Sequence, residues 1–150
     1  MRDSLLSWID NPDSPHEHMD SLPGVMWHLS DAWARRSEPN VVLVHYDDLS
    51  ADLEGEMRRL ATLLGIDVAD ELWPQLVEAA RFASMQARAD QLAPDPGAVL
   101  VQRERFFRRG SSGAGREVLS RREVAHYRAR TEAMAPPDLL AWLHREDPPT

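Results

Sequence analysis

Among its 150 residues the chain has no cysteine and no lysine. No apolar run approaches the roughly eighteen residues that a membrane-spanning helix needs. The absence of cysteine excludes a disulfide framework, a thiolate metal site and a cysteine nucleophile. The absence of lysine places all 17 cations on arginine, whose planar fork suits bidentate contact with phosphate. There is also no charged-then-apolar leader ending in small residues, so the expected location is cytoplasmic and the expected state soluble. An apolar content of 43% excludes a wholly disordered chain, and the length fits one domain.

A net charge of −8 speaks against general nucleic-acid binding. The charge is segregated, however: residues 1–100 carry 7 Arg against 18 acids, whereas residues 101–130 carry 9 Arg against 3. A local anion site is therefore compatible with an acidic protein. Aromatics interleaved with the basic residues, as a stacking platform for bases requires, are missing beyond the Phe106-Phe107 pair.

One stretch alone reads as a strand. Val41-Val42-Leu43-Val44-His45 is nearly unbroken in apolar, mostly β-branched character, flanked by Pro39-Asn40 and Asp47-Asp48. A lone strand satisfies none of its ladder hydrogen bonds. The expected fold class is therefore α/β, mostly helical around one central buried strand, which either borrows neighbours or belongs, with an incomplete parallel sheet, to a larger fold.

The helices have clearer signals. Ser14-Pro15-His16-Glu17 predicts a helix start, followed by a stripe of Val25, Leu29 and Trp33. His16 and His18 point apart on a helix, which favours a solvated surface over a metal site. Leu53, Met57, Leu60, Ala61 and Leu64 share one helical face that Gly65 stops. Pro74 either kinks a helix over 69–82 or marks its true first turn. Ser120-Arg121-Arg122-Glu123 is a capping box, Pro136-Pro137 ends its helix, and Leu139 to Leu143 form a last one before a frayed tail at 146–150.

Phe106 to Arg116 combines the Arg108-Arg109 pair, three glycines and two hydroxyls. A phosphate monoester wants forked cations and close backbone N–H groups, which glycine allows. The same composition also suits an exposed arginine-rich loop with no ligand.

Phe106-Phe107-Arg108-Arg109-Gly110 followed by Gly113 resembles the Arg-Lys-Gly segment of the cytosolic-type sulfotransferases, which use 3′-phosphoadenosine 5′-phosphosulfate (PAPS). His45-Tyr46-Asp47-Asp48-Leu49 resembles that family's Tyr-Glu-Asp-Met/Leu after a central strand, and Met57 to Gly65 its helix ending in Phe-Leu-Gly. Phe82 to Met85 resembles its Ser-Phe-x-x-Met stretch, and Asp3 to Ser7 the end of its Arg-x-x-x-Asp-x-x-x-Ser motif. The matches run in order across nearly the whole chain, with a likeness to the mycobacterial glycolipid sulfotransferases in particular. The resemblance implies the C-terminal part of a P-loop-like sulfotransferase fold. It implies a donor site in which Ser7, Arg108, Arg109 and the Gly110 backbone hold the 3′-phosphate of PAPS or 3′,5′-adenosine bisphosphate. Tyr46, Phe82 and Met85 would hold the adenine, and Phe106 and Phe107 would shape the pocket. In this family a His takes the acceptor proton and a Lys neutralises the leaving phosphate. No histidine here falls at the matching position, and Gly113-Ala114-Gly115-Arg116 stands where the family has Gly-Asp-Trp-Lys.

The resulting expectation is a truncated sulfotransferase domain over residues 1–150, without catalytic residues or metal and inactive alone. The full enzyme would transfer a sulfo group to a hydroxyl or amine of a small-molecule or lipid acceptor. Two other readings stand beside it. One is a non-catalytic module that binds a nucleotide, or a partner through the exposed strand edge. The other is a helical interaction protein without ligand.

Overall fold

The computed structural model describes residues 1–92, 107 and 110–145. Its α-helices are α1 (Arg2–Ile9), α2 (Leu22–Ala34), α3 (Tyr46–Ala51), α4 (Leu53–Leu64), α5 (Trp73–Ala80), α6 (Phe82–Ala87), α7 (Ala89–Leu92), α8 (Ala114–Val118), α9 (Arg121–Glu132) and α10 (Pro137–Leu143). A single 3-10 turn, Asp70–Leu72, precedes α5. The chain divides into two compact units, Met1–Leu43 with Gly113–Thr150, and Val44–Ser112.

The first unit is built around Ile9, Leu22 and Met26, all essentially inaccessible. Leu29, Leu119, Tyr127 and Leu140 pack against them. Each fully buried aliphatic side chain contributes about 1.5–3 kcal/mol of transfer free energy. The register of α2 is set at its start. The Ser21 hydroxyl accepts from the Gly24 N–H at 3.1 Å and donates to the His18 carbonyl at 2.6 Å. Pro23 sits in the first turn, where its missing N–H costs nothing. Gly24 has no substitute there, because a Cβ would lie 2.5 Å from the Met19 carbonyl oxygen.

Ser14 does not start a helix. It closes one turn, with the Glu17 and His18 amides donating to its carbonyl at 2.9 and 3.0 Å. The capping box at Ser120 does form: Glu123 accepts from the Ser120 N–H at 2.8 Å, the Ser120 hydroxyl accepts from the Glu123 amide, and Arg2 pairs with the Glu123 carboxylate. Pro137 opens α10, and Asp138 in its first turn accepts from Trp33 Nε1 at 2.8 Å.

In the second unit Asp52 caps α4 by accepting from the Gly55 N–H at 2.9 Å, and Gly65 ends it in the left-handed region at φ 66°. Trp73 and Val77 are the buried residues of α5, with the Arg58 guanidinium 4.6 Å over the Trp73 ring. Pro74 occupies the first turn of α5, so it marks a helix start and not a kink.

The expectation of an α/β fold with a central strand and a parallel sheet is overturned. Among the described residues there is no strand. Residues 41–45 are half-buried irregular chain, entered through a turn in which the Val41 amide donates to Glu38 at 3.0 Å. The junction between the two units falls inside this stretch, between Leu43 and Val44. The physical reason is that β-branched residues only favour extended backbone, whereas a strand exists through a ladder partner. No described segment supplies one. Association through an exposed strand edge falls with it, and the tail at 146–150 lies outside the described residues.

Candidate functional site

Two of the residues read as donor-binding, Phe82 and Met85, lie on α6, and two more, Phe107 and Gly110, contact Phe82. Arg81 adopts an extended conformation at φ −63° and ψ 142°, which ends α5 and starts α6. The bend is stitched by polar contacts: the Ser84 hydroxyl donates to Glu78 at 2.7 Å, and Arg88 donates to the Ala79 carbonyl at 2.8 Å. With α6 fixed in this way, Phe82, Met85 and Gln86 share one face at i, i+3 and i+4.

That face receives Phe107 and Gly110, which flank the arginine pair in the sequence. The Phe107 ring stands edge-on to Phe82, with centroids 6.2 Å apart and planes at 72°, the geometry that ring quadrupoles favour. The Gln86 side-chain amide donates to the Phe107 carbonyl at 2.8 Å. Gly110, at φ 65°, lies against the Phe82 ring so closely that a Cβ would sit 2.7 Å from Cδ1 and Cδ2. Glycine is therefore required twice over at this position, for its φ and for the approach. Phe106, Arg108 and Arg109 lie outside the described residues.

The other expected residues stand as follows. Met85 is half-buried on α6. Tyr46 is the first residue of α3 and 47% exposed, not the C-terminal end of a strand. Its neighbour His45 caps α3, with Nδ1 accepting from the Asp47 N–H at 3.1 Å. Ser7 is exposed on α1 in the first unit. Sequence reasoning missed Gln86, although its place one turn after Phe82 on a common face was a signal.

Outside this cluster the polar chemistry is structural. His18 pairs with Asp13 at 2.9 Å and His126 with Asp10 at 2.6 Å. Hydrogen bonds from Arg58 to Asp70 and then Glu54 raise its already high pKa, so it stays charged. In the first unit a cleft of about 360 Å³ is lined by Arg128, Thr131, Glu132, Leu140, Ala141 and His144. A second, of about 310 Å³, lies beside Arg58 and Trp73. Neither contains a residue read as donor-binding. Among the described residues no group of His, Asp or Glu is arranged to hold a metal ion, and no helix is long and apolar enough to cross a membrane.

Comparison with known proteins agrees with the motif reading. The sulfotransferase domain family matches residues 16–135. A glycolipid sulfotransferase of Mycobacterium bovis is 37% identical over 146 residues, covering 91% of this chain and 45% of that protein. A glycolipid sulfotransferase of Mycobacterium tuberculosis is 36% identical over the same length and shares. Sulfotransferase 1E1 of Bos taurus is 24% identical over 118 residues, covering 73% of this chain and 40% of that protein. No solved structure matches. The chain thus spans a little under half the length of the curated relatives it matches. Its ordered motifs, the match over residues 16–135 and the 37% identity to the Mycobacterium bovis protein lead to one assignment: the chain belongs to the sulfotransferase family.

Proposed function

We propose that the second unit carries the 3′-phosphoadenosine side of a PAPS site, and that the whole protein transfers a sulfo group from PAPS to a hydroxyl or amine acceptor. Arg108 and Arg109 supply the forked cations, the Gly110 backbone approaches the phosphate, and Phe82, Met85, Phe107 and Tyr46 provide apolar surface for the adenosine, with Phe106 beside them. A glycolipid acceptor is the reading favoured by the names of the two mycobacterial relatives. The chain has no lysine to neutralise a leaving phosphate and no histidine at the family's base position. Donor binding, not proton transfer, is accordingly the role proposed for it, and the 150 residues alone are expected to be inactive. The observation that carries this reading is the contact of Gly110 with the Phe82 ring. It seats on α6 the glycine that follows the two arginines in the sequence.

Titration calorimetry with 3′,5′-adenosine bisphosphate tests it. The wild-type chain is expected to bind, and Arg108→Ala/Arg109→Ala to weaken binding by about 10–100-fold, the range for losing one or two charge-assisted contacts. Absence of heat with the wild-type chain, or equal affinity in the double variant, overturns the reading.

A further inference from the structure

We propose that the cleft of about 360 Å³ in the first unit is a saccharide site, in which Arg128 and Glu132 of α9 hydrogen-bond the hydroxyls of a neutral mono- or disaccharide while Leu140 and Ala141 of α10 meet its C–H face. The inference goes beyond the donor-site reading, which concerns the other unit. Only for the source of the sugar does it rest on the acceptor reading above, a glycolipid.

Arg128, Thr131 and Glu132 stand at i, i+3 and i+4, so they share one face of α9. Leu140, Ala141 and His144 line the cleft from α10 and its C-cap. Its volume falls within the range of small-molecule sites, about 300–1,000 Å³. The lining then narrows the ligand class. Thr131 is buried and its hydroxyl is committed to the Arg128 carbonyl at 2.9 Å. His144 adds ring surface and no charge, because its Nε2 meets the Tyr127 hydroxyl at 3.0 Å and burial, with Arg128 and Arg116 nearby, lowers its pKa. That leaves two charges of opposite sign, one helical turn apart. A phosphate meets Glu132 as a like charge, and an amine meets Arg128 as one. A sugar hydroxyl both donates and accepts, so a vicinal pair of hydroxyls suits a guanidinium set beside a carboxylate. Arg128 carries five N–H donors and can serve a ligand beside a partner within the chain. The C–H face of a sugar ring in turn suits the aliphatic surface of Leu140 and Ala141.

The test is an NMR titration of the 150-residue chain with methyl glucoside, methyl galactoside, maltose and octyl glucoside below its micelle threshold, read at the backbone amides of α9 and α10. At least one sugar is expected to shift those amides with a dissociation constant on the order of 1 mM. Glu132→Ala removes the acceptor and Ala141→Phe fills the cleft, both at exposed positions. Each is expected to weaken binding about 10-fold. Should Ala141→Phe fail to fold, Glu132→Ala decides. Tighter binding of octyl than of methyl glucoside upholds the site with a lipid-borne sugar as its source, and equal binding upholds it with a free sugar. No shift with any of the sugars, unchanged affinity in Glu132→Ala, or a stronger response of the same amides to inorganic phosphate overturns the inference. Calorimetry of the same samples with 3′,5′-adenosine bisphosphate keeps the two readings apart. Nucleotide heat without sugar shifts removes the cleft alone, and sugar shifts without nucleotide heat remove the donor site alone.

Discussion

The Tyr127 hydroxyl and His144 Nε2 meet at 3.0 Å, with the two rings edge-on at 5.5 Å. This joins α9 to α10 where the first unit closes over its core. Burial lowers the pKa of His144, and the charges of Arg128 and Arg116 push in the same direction against a hydrogen bond to the Leu140 backbone carbonyl. Burial also raises the pKa of Tyr127, so both groups stay neutral together. The folded chain therefore holds a proton on His144 less readily than the unfolded chain, whose imidazole titrates near ~6.5. Stability from this site is complete above that value and is lost as pH falls from it through the folded pKa. Urea midpoints measured from about pH 7.5 to 5.5 should decline, and His144→Gln should flatten the decline over that window. An unchanged slope in the variant would assign the pH dependence to other groups.

At the scale of elements, the two serines that could begin α2 separate what sequence makes legible from what it does not. Ser14-Pro15-His16-Glu17 satisfies every local rule for a helix start, yet it makes a single turn. Ser21 is the cap, and its signal was obscured by Gly24, a poor helix former whose need appears only when the Met19 carbonyl lies against it. Ser21 is fully buried with its hydroxyl bonded in both directions. Ser21→Ala should therefore cost about 1–2 kcal/mol, as a lost cap does, while Ser14→Ala should stay within about 0.5 kcal/mol. Equal midpoints for the two variants in urea would show that Ser21 does not set the helix. Other local signals do hold. Gly65 ends α4 and Ser120 opens α9 at the expected residues, because both motifs act within one turn. Phe82 and Gly110, which meet at α6, were legible as motif residues. The contact of Gln86 was not, because its partner is a carbonyl 21 positions along the chain.

At the scale of the whole molecule, the stretch 41–45 was misread because pairing is not a property of the segment that pairs. Four apolar residues and a histidine favour an extended backbone, and here they carry the chain from one unit to the other. Net charge poses the same kind of problem for the donor site, since a protein at −8 is proposed to hold a polyanion. Distance decides which charge matters. The screening length is about 8 Å at 0.15 M salt, so acids farther than this along the surface are largely silent to a bound nucleotide. In the proposed site the charges that act are those of Arg108 and Arg109. If local attraction governs, raising salt from about 0.05 M to about 0.5 M should weaken binding of 3′,5′-adenosine bisphosphate several-fold, and Arg108→Ala/Arg109→Ala should reduce that slope. If the overall negative charge governed instead, salt would screen a repulsion and binding would tighten. Affinity measured across that range in the wild-type chain and the double variant distinguishes the two by sign, and a tightening in the wild type would remove the arginine pair from the center of the donor site.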